Sequence, residues 1–506
     1  MHIGNRTGAA LVAIAAIALA INPLMPTGAA ASQARVCERG TFKNFHNDGN
    51  GAPPPTYKGK VFRLSQDYPA SLPPEGDYPW LKIPVKDGRL DAAGSEAYVN
   101  ALRDYAYQGN VDHDWVTQDN PVRRWFDAPW MDVTAAGREF VHGLTHEIDA
   151  LASHHTLGPQ QKNDAQTWAV AAFNDRGGWA IGQMWCDPRN PDPDKLNPRD
   201  DHPNAMPNGT MIYKLLFTTA SDEDAPFLRD TFEWDADAYT TTGDRSADPP
   251  RTIKRVRLIQ MDVAARDDRF PNGWAFGTLS YNRADPGAGP LDRMVPLGLM
   301  WGNDPGLTAN MITQEGAALR ESWINTAPVA KDLPDNHLGW GGRLAGPLDN
   351  PKSSCMSCHQ TAGFPVEPII PEIAKAKEFP SWAGDNKPIP DEVKLNWFLD
   401  VPAGVSWSAR QRFSLDYSLQ LSMGLARFYE ANCKPQALEE VYSPRGTEQP
   451  AARDLAIGAC PKLAHMLQPK HPRRGLHPLL VVALMVLALG VGVLGGRSRR
   501  PGATTE

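Results

Sequence analysis

The sequence predicts an α+β protein with an antiparallel, β-rich central region, a cysteine-bearing segment closed by a helix, and a C-terminal transmembrane helix. Three observations predict it. Five short β-forming runs lie between residues 168 and 281, separated by Gly, Pro, Asn and Asp. The stretch "SSCMSCHQ" at 353–360 is followed by one helical pattern, "SLDYSLQLSMGLARFYE". Residues 479–496 carry no charge and would form a helix of roughly 27 Å, close to the hydrocarbon thickness of a bilayer.

In chain order, Arg6, an uncharged run from Ala9 to Ile21 and the small residues Gly28, Ala29, Ala30 and Ala31 have the layout of a secretory signal, residues 1–31, cleaved after Ala31. The competing reading, a retained anchor helix, suffers from the shortness of the apolar run. Residues 32–160 form an N-terminal, partly helical region, with helices expected near "SEAYVNALRDYAYQ" and "AAGREFVHGLTHEIDALASHH". The second pattern sets His142 and His146 one helical turn apart beside Glu147, a spacing that can hold a metal. No third ligand is evident, so a solvated helix face accounts for it.

Residues 161–305 form the β-rich region, with strands expected at 168–173, 179–185, 210–220, 253–263 and 274–281. Residues 306–435 hold the cysteine motif and the closing helix, capped by Ser414 with Asp416 in its first turn. A proline-rich linker, 436–475, leads to the anchor, 476–496, and to a cytoplasmic tail, 497–506, opened by Arg497, Arg499 and Arg500. The main body is thus expected outside the cytoplasmic membrane, in the periplasm, on a single-pass anchor. Net charge is −7 with mixed signs throughout, so nothing suggests a nucleic-acid partner. With 46 Pro, 43 Gly and 15 Trp, the body is loop-rich and buries large aromatic side chains.

Cys355, Cys358 and His359 form Cys-x-x-Cys-His, the sequence at which haem is attached through two thioethers and ligated by the adjacent imidazole. A thioredoxin-like pair would follow a strand, whereas "GWGGRLAGPLDNPKSS" precedes this one. A zinc site would need a second close ligand pair, but Cys37, Cys186, Cys433 and Cys460 are solitary in sequence. In an oxidising compartment those four could make two disulfides, Cys433 with Cys460 being the nearest pair.

On these residues the chain resembles a monohaem c-type cytochrome. The resemblance implies one covalent haem c on Cys355 and Cys358, His359 as proximal iron ligand, and electron transfer with a redox partner that the sequence does not name. The chain departs from small electron carriers in having no Met or His from Gln360 to Ser422. The sixth-ligand candidates are His337, Met300 and Met423, with Met294 a further option, and each also has a plain packing or surface explanation. The alternative is an open iron position, serving an enzyme or a gas-binding protein. The order "PNGTMIYK", "NGWAFGTLSYNR", then Cys-x-x-Cys-His, over about residues 165–365, looks like the β-sheet cytochromes c-prime and their lysine-cross-linked relatives. That likeness singles out Lys214, in a strand apolar on both faces, which must snorkel, pair or react.

Overall fold

The computed structural model describes residues 53–132, 137–188, 190–198, 204–244, 249–327, 337–370 and 388–432. The signal, the linker, the anchor, the tail and Cys37, Cys433 and Cys460 lie outside them. Among the described residues no helix is long and apolar enough to cross a membrane.

An α+β architecture with an antiparallel sheet is present. The strands are β1 (Thr145–His146), β2 (Thr167–Phe173), β3 (Met211–Thr218), β4 (Glu233–Tyr239), β5 (Arg251–Arg266), β6 (Trp274–Tyr281), β7 (Met294–Met300) and β8 (Ser322–Ile324). They pair in the order β1-β2-β3-β5-β6-β7-β8, with β4 added to β5. The sheet therefore begins before residue 161 and continues past 305. Four of the five expected strands form.

The other, at 179–185, is instead part of helix α2 (Asp175–Met184). Asn174 caps it, accepting a hydrogen bond from Gly177 N, and Asp175 sits in its first turn. A short apolar run fits a buried helix as well as a strand, and the cap decides. The long helix expected over "AAGREFVHGLTHEIDALASHH" is also absent: its described residues form β1, turns, extended segments and one 3-10 turn at Ala152–His154. Helix α1 (Ala92–Tyr107) forms as expected, capped by Asp91, with Ser95, Val99, Leu102 and Ala106 buried at i, i+4, i+7 and i+11.

Alternation along β3 separates two cores. Met211, Tyr213, Leu215 and Phe217 face one side, with α1 against them. Gly277 on β6 admits α1 there: a Cβ would lie 2.2 Å from Val99 Cγ2. On the other side Phe173, Ile212, Ala264, Phe276 and Met300 meet the cysteine-bearing segment. That segment contains the short helices α3 (Ala309–Thr313), α4 (Cys355–His359) and α5 (Asp391–Lys394), the two-stranded pair β9 (Gly363–Phe364) and β10 (Phe413–Ser414), and α6 (Leu419–Asn432). Helix α6 starts later than expected, after Ser418 rather than Ser414. Ser414 is in β10, Asp416 and Tyr417 have φ of 48° and 64°, and Ser418 Oγ accepts from Leu421 N.

Candidate haem-attachment site

Helix α4 consists of the motif itself. Ser354 caps it in a reciprocal capping box with Ser357, and Ser354 Oγ also bonds Asn303 Oδ1 at 3.1 Å. One helical turn brings residues 355, 358 and 359 close together. All three are half-buried, while Met356 and Ser357 between them are buried.

His359 Nδ1 lies 2.8 Å from the Tyr417 carbonyl oxygen. A carbonyl only accepts, so Nδ1 carries the proton and Nε2 keeps its lone pair. No described residue bonds Nε2. Burial lowers the imidazole's pKa, opposed by the bond to Tyr417, and Phe276 packs 4.7 Å from the ring. An imidazole that is neutral, oriented and open at Nε2 is a prepared metal ligand.

Cys355 and Cys358 are free thiols. Burial, then the Asp349 and Asp262 carboxylates, push Cys355 well above its ordinary value, and burial takes Cys358 to about 12. A redox-active dithiol needs the opposite shift, so the thioredoxin-like reading loses its chemistry. Cys186 is disulfide-bonded.

The sheet face opposite α4 is polar at its centre. Register aligns Ala171, Lys214, Asp262, Thr278 and Gly298 in one row across β2, β3, β5, β6 and β7. Thr278 Oγ1 reaches Asp262 Oδ1 at 3.0 Å and Cys355 Sγ at 3.6 Å. The Gln260 amide donates to Asp262 and, at 3.1 Å, to Asp349 Oδ2. Lys214 Nζ pairs with Glu147 Oε1 at 3.1 Å. Burial alone would lower the ammonium's pKa, but Glu147, Asp262 and Asp349 raise it, so Lys214 is a charged partner rather than a free amine.

Burial governs the titration of Cys355, Cys358, His359 and Asp262, yet each keeps accessible surface, and Lys214 keeps 31 % of its side chain exposed. These part-exposed groups border the space between this sheet face and α4, hereafter the recess. Two thiols and an open imidazole nitrogen bordering it fit a covalently attached haem.

The other candidates are dispersed. Met300 is buried on this sheet face, cross-strand from Phe276. His337 is half-buried before the Leu338–Leu344 bridge, and Met423 is 39 % exposed on α6. Met294 is buried in the core on the α1 side. His142 stacks on Trp234 and His146 bonds Asp149, so the two do not share a helix face. Among the described residues no three His, Cys, Asp or Glu side chains converge on a metal site. The sequence did not mark out Asp262 or Asp349 as site residues, and it marked Glu147 only as a neighbour of His142 and His146; the one signal for this shared site was Asp262, a charge inside the β-forming run "RLIQMDVAA".

No protein family, curated protein or solved structure matches this chain.

Asp262 offers a test of the recess. Burial, then Asp349, raise its carboxyl from 3.8 to about 7. Between those values the fold binds a proton that the unfolded chain has lost, so this group's contribution to stability falls as pH rises through that window. Asp262→Asn keeps an acceptor for Thr278 and removes the titration. From about pH 4 to pH 7 the melting temperature of the parent should therefore lose ground to that of the variant. Parallel curves would mean that Asp262 is already ionised.

Proposed function

We propose that this is an exported, membrane-tethered c-type cytochrome that carries one covalent haem and transfers electrons. The observation behind the proposal is His359, anchored through Nδ1 to Tyr417 with Nε2 open, on the same helical turn as two free thiols. Cys355 and Cys358 would hold the porphyrin edge and His359 the iron; the group supplies a one-electron couple. The chain's own contributions are orientation and shielding. The bond to Tyr417 fixes the ring and tautomer of His359, and Phe276, Met300 and Leu344 belong to the apolar core beside it. Tethering rests on the uncharged run 479–496, which lies outside the described residues. The likeness to β-sheet cytochromes c-prime is supported by the antiparallel sheet and by Lys214 on the strand face turned to α4.

A second reading, an enzyme or gas-binding protein with an open iron position, is favoured by the recess lining. Lys214, Glu147, Asp262 and Asp349 are an unusual shell for a simple carrier but suit a polar ligand or proton movement. A carbon monoxide titration of the reduced, purified protein separates the two. The carrier reading expects slow or absent binding and a low-spin spectrum. It further expects one of His337→Ala, Met300→Ala or Met423→Ala to convert that spectrum to high-spin. Full, rapid binding with none of the three having an effect would put the second reading first.

A further inference from the structure

A cavity of about 230 Å³ lies on the α1 side of the sheet, on the face opposite the cysteine motif. Strand β3 shows both faces: Tyr213 lines this cavity, and Lys214, the next residue, faces the recess. Its floor is Val170 and Ala172 of β2 and Tyr213 of β3; its walls include Trp115, His142 and Trp234.

This lining holds polar groups that the fold does not use. Tyr213 is 2 % exposed, and its hydroxyl has no hydrogen-bond partner among the described residues, its ring meeting Trp115 and Trp125 edge-on. A polar group left without a partner at a cavity wall is open to a ligand's hydrogen bond. His142 lies flat on Trp234, ring centroids 4.0 Å apart and 6° from parallel, and neither ring nitrogen is hydrogen-bonded among the described residues. Burial lowers its pKa to about 4, so it is a neutral imidazole that can donate at one nitrogen and accept at the other. The backbone beside them is strained: Asp114 and Trp115 are consecutive left-handed residues, with φ of 51° and 56°.

The charged groups at the cavity are already engaged. Lys60 stands 3.9 Å from Asp114, Arg63 stands 3.5 Å from Asp119, and an Asp127 oxygen accepts Ser65 N at 2.7 Å. A charged ligand would compete with these pairings, whereas a neutral one would leave them intact. What remains is flat apolar surface with one hydroxyl and one neutral imidazole, in a space larger than the ~150 Å³ that suffices for benzene.

We propose that this cavity binds a small, neutral hydroxyaromatic molecule of the phenol class, its ring on the Val170 and Ala172 floor and its hydroxyl between Tyr213 and His142. The inference stands independently of the haem. The test is calorimetric titration of the purified protein with phenol, and with benzoate and benzylammonium as charged analogues. Saturable phenol binding is expected, with both ions at least tenfold weaker. Val170→Phe, which fills the floor while leaving every polar group in place, should weaken phenol at least tenfold. Tyr213→Phe should weaken it about three- to tenfold, the scale of one hydrogen bond. Circular dichroism checks that each variant folds; should Val170→Phe not fold, Tyr213→Phe and His142→Phe decide. Absence of saturable phenol binding, tighter binding of either ion, or phenol affinity unchanged in the folded variants would overturn the proposal.

Discussion

Replacing Cys355 and Cys358 together by Ala should abolish covalent haem in the exported protein. Intact-mass spectrometry after acid denaturation would read the double variant as the bare processed chain, and the parent as that chain plus one haem. The expected effect is all or none, because a thioether needs the sulfur. Both sulfurs are free thiols, so no disulfide has to be reduced before each S–H adds across a vinyl group. Single replacements should each retain some haem through the remaining thioether. His359→Ala keeps both sulfurs and should leave the mass adduct present but the iron without its proximal ligand, which separates attachment from ligation. If the parent protein itself has the mass of the bare chain, the haem proposal fails whatever the variants do.

The sequence was legible where one local signal dominated. Strands β2, β3, β5 and β6 could be read because β-branched and aromatic residues run between turn formers, and α1 because its apolar stripe has a single helical period. The motif at 355–359 stood out because its five residues are consecutive, and the mass measurement above is what tests its haem chemistry. Lys214 stood out because a charge in an apolar strand needs a partner, but the identity of that partner depends on β1 lying beside β2, a long-range pairing. Where two local signals competed, tertiary context chose. The glycines of α2 favour neither strand nor helix, and burial on every side suits both, so the Asn174 cap tipped the balance. At 137–155 a helical period was present, yet Gly143 takes φ of 74° and the chain turns there to bring Thr145 and His146 against Ala169 and Trp168. The Tyr417 carbonyl, which completes the candidate site, is a backbone group and left no trace in residue type.

Asp416→Ala should cost about 3–5 kcal/mol and lower the melting temperature by about 5 °C or more, the largest stability effect expected near the site. The Asp416 side chain is fully buried and accepts from Met206 N at 2.6 Å and Gly404 N at 2.8 Å. Removing it strands two backbone donors, each worth about 1–3 kcal/mol when left unpaired in the interior. It also puts Ala at φ of 48°, a conformation that Asp tolerates better because its side chain can bond locally. The consequence reaches the motif. Asp416 and Tyr417 form the left-handed turn that delivers the Tyr417 carbonyl to His359 Nδ1, and the same segment is stitched to the chain after α4 by Leu415 N to Ala362 O at 3.0 Å. Loosening that turn frees the imidazole to rotate or change tautomer, so the haem-loaded variant should show a mixed spin state where the parent shows one. Asp416→Asn keeps one acceptor and the tolerance of positive φ, and should fall between the two in both measurements. A variant that melts lower but keeps the parent spectrum would assign Asp416 to the fold alone, and one that melts with the parent would mean that other groups satisfy Met206 and Gly404.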